Sequence, residues 1–405
     1  MNKNLLVAQS GGPTAAVNSS LYGIITESMK QPKIQAIYGA INGVLGVLHE
    51  DLVDLRRENP LSVQKLRETP SAALGTCRYK PSESDYARLL EVFKRHGVRY
   101  FLYAGGNDSM DTAHQMARLA AEKKYDLQVM GVPKTVDNDL MVTDHCPGYG
   151  SAARFNAIAT RDSGLDTEAI YTSDTVKIIE TMGRDTGWIT ASTALAIDGA
   201  DSAPHLIYLP ERPFSAERFL DDVKSVYDRL GRVVVCVCEG LKDDRGEFVQ
   251  ASSKKIDTDR FGHAQLGGVG DYLVNLISEN LKIKARYDKP GTIQRVSMIC
   301  ASQTDLAEAY FVGEVAVSEI VDGENDKMVT LTRKSNNPYK FESGLVELDK
   351  VSLKTKKVPD EFINPQSNFI TDAFLEYGKP LIGGPLPEYA HLRKERVGKL
   401  LPPYL

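Results

Sequence analysis

The chain has 405 residues, enough for about two domains. Its 42% apolar and 25% charged residues are ordinary for a globular protein, and a net charge of −5 without a basic stripe excludes a nucleic-acid footprint. No apolar run of roughly 18 residues marks a membrane span, and no apolar N-terminal stretch marks a signal peptide.

The predicted elements alternate. Leu5–Ala8 reads as a strand, Ser10-Gly11-Gly12-Pro13-Thr14 as a turn, and 15–29 as a helix. Ile34–Tyr38 is a second strand, and a helix over 84–96 leads into the strand Tyr100–Ala104. Gly105-Gly106-Asn107-Asp108-Ser109 then turns into a helix reaching about Glu122, followed by the strand Leu127–Val132. Helices over 151–162, 188–197, 216–230 and 271–281 alternate with strands over 176–181, 205–209 and 233–238. This pattern predicts an α/β protein: two Rossmann-like parallel-sheet domains, helices on both faces, with a cleft between them. No Gly/Ser or Pro-rich linker separates the halves, so the domains are expected to exchange chain segments. Residues 1–149 with about 295–345 would form one, and 150–294 with about 346–405 the other. Beyond Arg333 the texture changes, and the turn Ser335-Asn336-Asn337-Pro338 opens a C-terminal elaboration.

Five scattered cysteines, Cys77, Cys146, Cys236, Cys238 and Cys300, show no CxxC pair and no His/Cys cluster at metal spacing. They argue against structural zinc and fit reduced thiols in a cytoplasm. Cys236 and Cys238, two apart in an apolar run, would share one strand face as small buried side chains.

The most informative segment is Pro133-Lys134-Thr135-Val136-Asp137-Asn138-Asp139. It follows an apolar strand, where α/β folds place their ligands. A lysine, a threonine and two aspartates are poor core material, but together they can hold a phosphate, a metal and a proton acceptor. The aspartates serve either turn chemistry or proton transfer, and Lys134 is either a solvated surface lysine or a phosphate ligand. Three glycine turns, Gly11-Gly12, Gly105-Gly106 and Met182-Gly183-Arg184, also separate strands from helices, where backbone N–H groups can meet a phosphate. No GxxxxGK[ST] string, HRD, DFG or good GxGxxG is present. The residues point to phosphoryl transfer.

The ordered series Ser10-Gly11-Gly12, Leu74-Gly75-Thr76-Cys77-Arg78, Gly105-Gly106-Asn107-Asp108, Pro133–Asp139, Met182-Gly183-Arg184 and Cys238-Glu239-Gly240 resembles the 6-phosphofructokinases over roughly residues 4–332. In that family the ATP-dependent members carry glycine where Asp108 and Lys134 stand here, so the chain resembles the pyrophosphate-dependent branch. Asp108 would crowd and repel an adenosine tail, and Lys134 would compensate a compact, highly charged donor. The resemblance implies reversible transfer from pyrophosphate to the 1-hydroxyl of fructose 6-phosphate, in glycolysis and gluconeogenesis. It implies Mg²⁺ as cofactor and a cytoplasmic homo-oligomer, dimer or tetramer.

The same resemblance assigns Asp137 as proton acceptor, with Lys134, Arg78 and Asp139 assisting catalysis. Gly11 and Gly12 would meet pyrophosphate through backbone N–H groups, beside Asp108 and Lys134. Thr135, Met182, Gly183, Arg184, Glu239, Arg286, Tyr287, Thr292 and Arg295 would contact the sugar phosphate. Asn107 replaces the family's usual magnesium aspartate, leaving Asn107, Asp108 or Asp139, water and pyrophosphate itself to hold the metal. Thr292 replaces a histidine, and Thr175 an arginine donated by a neighbouring subunit in ATP-type members. The polar loop around Asp137 predicts an ionised carboxylate at neutral pH. The rival readings are an ATP-dependent phosphofructokinase, a non-catalytic sugar-phosphate-binding subunit and a nicotinamide-dependent dehydrogenase. The last leaves the lysine–aspartate loop without a use.

Overall fold

The computed structural model describes residues 3–250, 268–390 and 392–401. Its strands are β1 (Asn4–Gln9), β2 (Ile37–Ala40), β3 (Leu52–Asp54), β4 (Val98–Gly105), β5 (Gln128–Pro133), β6 (Val176–Thr181), β7 (Leu206–Tyr208), β8 (Val233–Cys238), β9 (Ala285–Asp288), β10 (Lys327–Asn336) and β11 (Tyr339–Glu347). They form two sheets, ordered β11-β10-β5-β4-β1-β2-β3 and β7-β8-β6-β9. The second sheet is parallel throughout. The first is parallel from β10 to β2 but antiparallel at both edges, where β3 pairs with β2 and β11 with β10.

The edges depart from the predicted parallel sheet for a local reason. A parallel return needs a crossover of a dozen or so residues, and only Asn337 and Pro338 join β10 to β11. Three-residue β3 returns after one short helix, Val44–His49.

Period-two alternation builds the cores. On β1, Leu5 and Val7 enter one apolar cluster and Leu6 and Ala8 the cluster on the opposite face. On β8, Val234 and Cys236 face one way and Val233, Val235 and Val237 the other. Covered on both faces, these strands read as unbroken apolar runs. Cys236 and Cys238 are both fully buried, and the Cys238 thiol donates to the Gly183 carbonyl at 2.9 Å. Helix ends follow side-chain chemistry. Ser82 and Asp85 form a reciprocal capping box for Glu83–Arg95, and Gly231, at φ 69°, ends Ala216–Leu230.

The C-terminal part ties the two sheets together. The helix Gln303–Asp322, not predicted above, returns to the first sheet. Its Val312, Ala316, Val317 and Ile320 pack with Val17, Leu21 and Ile24 of the helix Val17–Lys30. After β11, Leu348 and Val351 join the core of the first sheet, whereas Val358, Phe362, Phe374, Tyr377 and Leu381 join that of the second. The chain therefore passes from one core to the other through a strap at 352–357.

Candidate active site

The loops that carry most of the predicted residues follow β1, β4, β5, β6 and β8, all at the carboxyl ends of parallel strands, while Arg78 precedes the helix Glu83–Arg95 and Arg295 lies in the short helix Ile293–Val296. They meet in a cavity of about 360 Å³ lined by Gly11, Gly12, Arg78, Asn107, Asp108, Lys134, Thr135, Asp137, Asp139, Met182, Gly183, Arg184, Glu239 and Arg295. Fourteen residues spread over the sequence from 11 to 295 thus share one site, because the strand order brings β5, β4 and β1 side by side opposite β6 and β8.

At one end the glycine turn packs against two cations. The Lys134 ammonium donates to the Gly12 carbonyl at 2.8 Å, and a Cβ at Gly12 would lie 2.9 Å from Nη1 of Arg295. A side chain there would displace the Arg295 guanidinium from the turn. The Gly11 N–H is already taken by the Cys77 carbonyl at 3.1 Å, and Thr76 Oγ1 donates to the Gly11 carbonyl at 2.7 Å. Of the two glycine N–H groups assigned above to pyrophosphate, that of Gly11 is thus engaged within the protein. Lys134 is 3% exposed, so it is not a surface lysine. Burial, then the nearby Arg295, depress its pKa to about 7, with Asp137 opposing them. An anionic donor would restore the full ammonium. Nε of Arg295 is buried with no hydrogen-bond partner, an unmet donor that an anion would satisfy.

The next loop sets two carboxylates side by side. Thr135 Oγ1 accepts the Asp137 N–H at 3.1 Å and bonds the Asp139 carboxylate, so this threonine shapes the loop. Between the aspartates, Asn138 is fully buried with φ 53°, a left-handed turn that asparagine tolerates. Burial raises the Asp137 pKa against the pull of Arg184, Lys134, Arg295 and Arg78. Burial and the like charge of Asp137 raise Asp139 to about 7. The loop is more enclosed than its polar composition implies, and burial holds the Asp137 carboxyl above the ordinary carboxylate range.

The opposite wall comes from the second sheet. Gly183, at φ 144°, leaves no room for a side chain: a Cβ would lie 2.5 Å from the Thr186 carbonyl. Its N–H donates to Glu239 Oε1 at 3.4 Å. Burial raises Glu239 to about 7, opposed by Lys289, which stands 3.7 Å away and 2.7 Å from buried Glu180. Arg184 faces the aspartate loop from this wall and stabilises the Asp137 carboxylate.

Three predicted residues lie elsewhere. Arg286 and Tyr287, on edge strand β9, are exposed and do not line the cavity. Arg286 pairs with Asp174 at 2.7 Å. Thr292 is exposed and also outside the lining. Arg295, nine residues beyond Arg286, stands against the glycine turn rather than with it. The cavity also includes Ser109, Asp185, Thr186, Leu353 and Thr355, which were not assigned above. Asp185 and Thr186 adjoin a recognised motif, but nothing in the Leu353–Thr355 stretch signals a place in a cleft.

The metal assignment has a physical test. Asn107 Nδ2 donates to Asp139 Oδ2 at 2.9 Å, while Asn107 Oδ1 is buried without a partner. An orphaned oxygen beside a carboxylate suits a hard cation. Among the described residues no group of three or more His, Cys, Asp or Glu could hold a metal alone. Such a set fits Mg²⁺, which commonly takes one or two protein oxygens and completes its shell from substrate phosphates and water.

Comparison with known proteins agrees with this geometry. A family model described as phosphofructokinase matches residues 4–318. A Xanthomonas campestris protein named pyrophosphate–fructose 6-phosphate 1-phosphotransferase is 42% identical, over 99% of this chain and 99% of its own. The crystal structure of a pyrophosphate-dependent phosphofructokinase from Nitrosospira multiformis matches with TM-score 0.87 and 38% identity, covering all of both chains. One from Marinobacter aquaeolei matches with TM-score 0.86 and 37% identity over 98% of each chain. With its matched segment, its fold and its cleft in agreement, the chain belongs to the phosphofructokinase family.

Proposed function

We propose that the protein transfers a phosphoryl group from pyrophosphate to the 1-hydroxyl of fructose 6-phosphate, giving fructose 1,6-bisphosphate and phosphate. The observation that carries the donor is the pair Asp108 and Lys134 in one cavity with the aspartate loop. Lys134 is buried on the glycine turn and offers concentrated charge, while Asp108 meets anything larger with volume and like charge.

Asp137 accepts the proton of the 1-hydroxyl as that oxygen attacks the near phosphorus. The bridging P–O bond breaks, and the leaving phosphate carries off its electron pair. Lys134, Arg78 and Arg295 neutralise charge on the donor and on the transferring group. Asn107 Oδ1 and Asp139, with Asp108 nearby, are the protein oxygens that would hold Mg²⁺. When bound, Mg²⁺ supplies further charge neutralisation on pyrophosphate. Both directions use ordinary phosphoryl donors, so the reaction is readily reversible. Phosphorus NMR of protein, Mg²⁺, pyrophosphate and fructose 6-phosphate tests this. Loss of the pyrophosphate signal must match the growth of one phosphate and one sugar 1-phosphate signal. Phosphate release without sugar phosphorylation would refute the transfer.

Arg184 is assigned to the sugar phosphate by a charge-assisted contact. Arg184→Ala is expected to raise KM for fructose 6-phosphate about 10-fold or more, and KM for pyrophosphate much less. Arg295 stands between the two ends, and its alanine variant is expected to raise both. Equal shifts for Arg184 would remove it from the sugar-phosphate site.

Arg286 and Tyr287 cannot serve this chain's cleft from the exposed edge of β9. Their assigned contact is kept as one made in the cleft of a second copy, in a homo-oligomer. Arg286→Ala and Asp137→Asn chains, each nearly inactive alone, are then expected to regain activity when refolded together. No recovery in the mixture would withdraw Arg286 from the site.

A further inference from the structure

The family model ends at residue 318, yet residues beyond it also tie down the aspartate loop. The Lys356 N–H donates to the Asp139 carbonyl at 2.7 Å. Its ammonium donates to the Thr143 and Asp144 carbonyls at 3.0 and 2.8 Å, capping the far end of the same loop. The Tyr377 hydroxyl accepts from Asn138 Nδ2 at 2.9 Å and donates to the Asp144 carbonyl at 3.0 Å. Asn138 Oδ1 in turn accepts the Cys146 N–H at 3.0 Å. Arg333 grips the Asp144 carboxylate at 3.0 Å and the Tyr377 carbonyl at 2.9 Å, with its guanidinium 4.5 Å from the Tyr377 ring centre.

These bonds converge on one backbone feature. Asn138 stands in the left-handed region between the two aspartates, so its orientation sets the direction of both neighbouring carboxylates. Asparagine tolerates that region, and its carboxamide is fixed there by its surroundings. Here the surroundings are the Tyr377 hydroxyl on one side of the carboxamide and the Cys146 N–H on the other. The strap then reaches the opposite wall. Glu211 accepts the Val358 N–H at 3.0 Å and the Gly187 N–H at 2.9 Å, beside the turn that carries Arg184. One segment thus fixes the aspartate loop and is anchored to the facing loop.

We infer that Tyr377 and Lys356 are positioning residues for the phosphoryl-transfer step, holding Asp137 and Asp139 through Asn138 and the 143–146 backbone. The inference rests on the reading of Asp137 as the proton acceptor. Neither residue lines the cavity, so neither touches substrate. Their removal should displace the carboxylates without opening the cleft.

Tyr377→Phe deletes one oxygen and keeps the ring against Arg333, Trp188 and Phe362. It is expected to lower kcat about 10- to 100-fold, as misplacement of a reacting group by an ångström or so does. Both KM values should stay within about twofold. Lys356→Met keeps the stem and is expected to act the same way. In an Asp137→Asn background Tyr377→Phe should cost little more, because what it positions is already gone. Hydrogen exchange supplies a readout independent of turnover: the Cys146 amide should exchange faster in Tyr377→Phe with the rest of the first sheet unchanged. An unchanged kcat, or a loss that multiplies fully with Asp137→Asn, would overturn the inference. So would a kcat loss accompanied by equal rises in both KM values. If the wild type proves inactive with pyrophosphate and fructose 6-phosphate, the reaction assignment fails on its own. The exchange experiment then still decides whether Tyr377 holds the loop.

Discussion

Asp137→Asn should lower kcat by at least about 100-fold, the usual cost of losing a positioned base. The carboxylate is enclosed, its pKa is raised by burial, and four cations lie near enough to oppose that rise. The amide keeps the shape of the loop and the Asp137 N–H bond to Thr135. Binding of fructose 6-phosphate, measured by calorimetry, should therefore change little. The pH profile gives a second check. Protonated Asp137 cannot accept a proton, so activity falls as pH drops through its raised pKa. Asp137 and Asp139 titrate as a pair, so the acid limb belongs to both. That limb should lie above the ordinary carboxylate range and move to lower pH in Asp137→Asn, where Asp139 titrates without its like-charged neighbour. Near-normal turnover in the variant would remove Asp137 from the proton-accepting role.

The donor variants should show the second large effect. Asp108→Gly removes volume and a negative charge from the donor end, so some ATP use should appear while pyrophosphate use weakens modestly. Leu353 and Thr355 line the same cavity, and the opening should be partial. The variant also loses an acidic residue from the first turn of the helix Asn107–Glu122, worth about 0.3–1 kcal/mol at a helix N-terminus. Lys134→Gly should chiefly damage pyrophosphate catalysis. It removes the buried cation that bonds Gly12 without making room for an adenosine tail. The double change should be non-additive, since both side chains face one pocket. Values of kcat/KM for both donors across the four proteins measure this. Additive effects, or no ATP use in any variant, would disconnect these residues from donor choice.

What was legible in the sequence follows from how each element earns its stability. β1, β4, β5 and β8 are buried on both faces and announce themselves as largely apolar runs. β9 does not: three of its four residues are exposed at a sheet edge. The far half of the β10–β11 hairpin is partly exposed and carries Arg333, Lys334, Lys340 and Glu342, so only its Asn337-Pro338 turn stood out. The helix Gln303–Asp322 was within reach. Ser302 caps it by accepting the Asp305 N–H at 3.2 Å, and Leu306, Ala309, Val312 and Ala316 recur at helical spacing.

The cleft was legible as a series of motifs because each sits directly after a buried strand. Which side chain faces it was not. Arg286 and Arg295 are nine residues apart, and only the path of β9 sends one outward while the other meets the glycine turn. The diversion of the Gly11 N–H to Cys77 joins residues far apart in sequence. The strap at 352–357 is held by one backbone bond to Asp139 and by Lys356 on two carbonyls, contacts that leave no pattern in residue type.

The most direct test of the account is initial-rate formation of fructose 1,6-bisphosphate by the wild type with Mg²⁺ and fructose 6-phosphate. Pyrophosphate, ATP or no donor would be added in parallel. The value of kcat/KM should be at least about 100-fold higher with pyrophosphate than with ATP, as suits a site with both a repulsive and an attractive element. No product should form without donor. A preference for ATP would contradict the roles given to Asp108 and Lys134. The absence of product with either donor would contradict phosphoryl transfer itself.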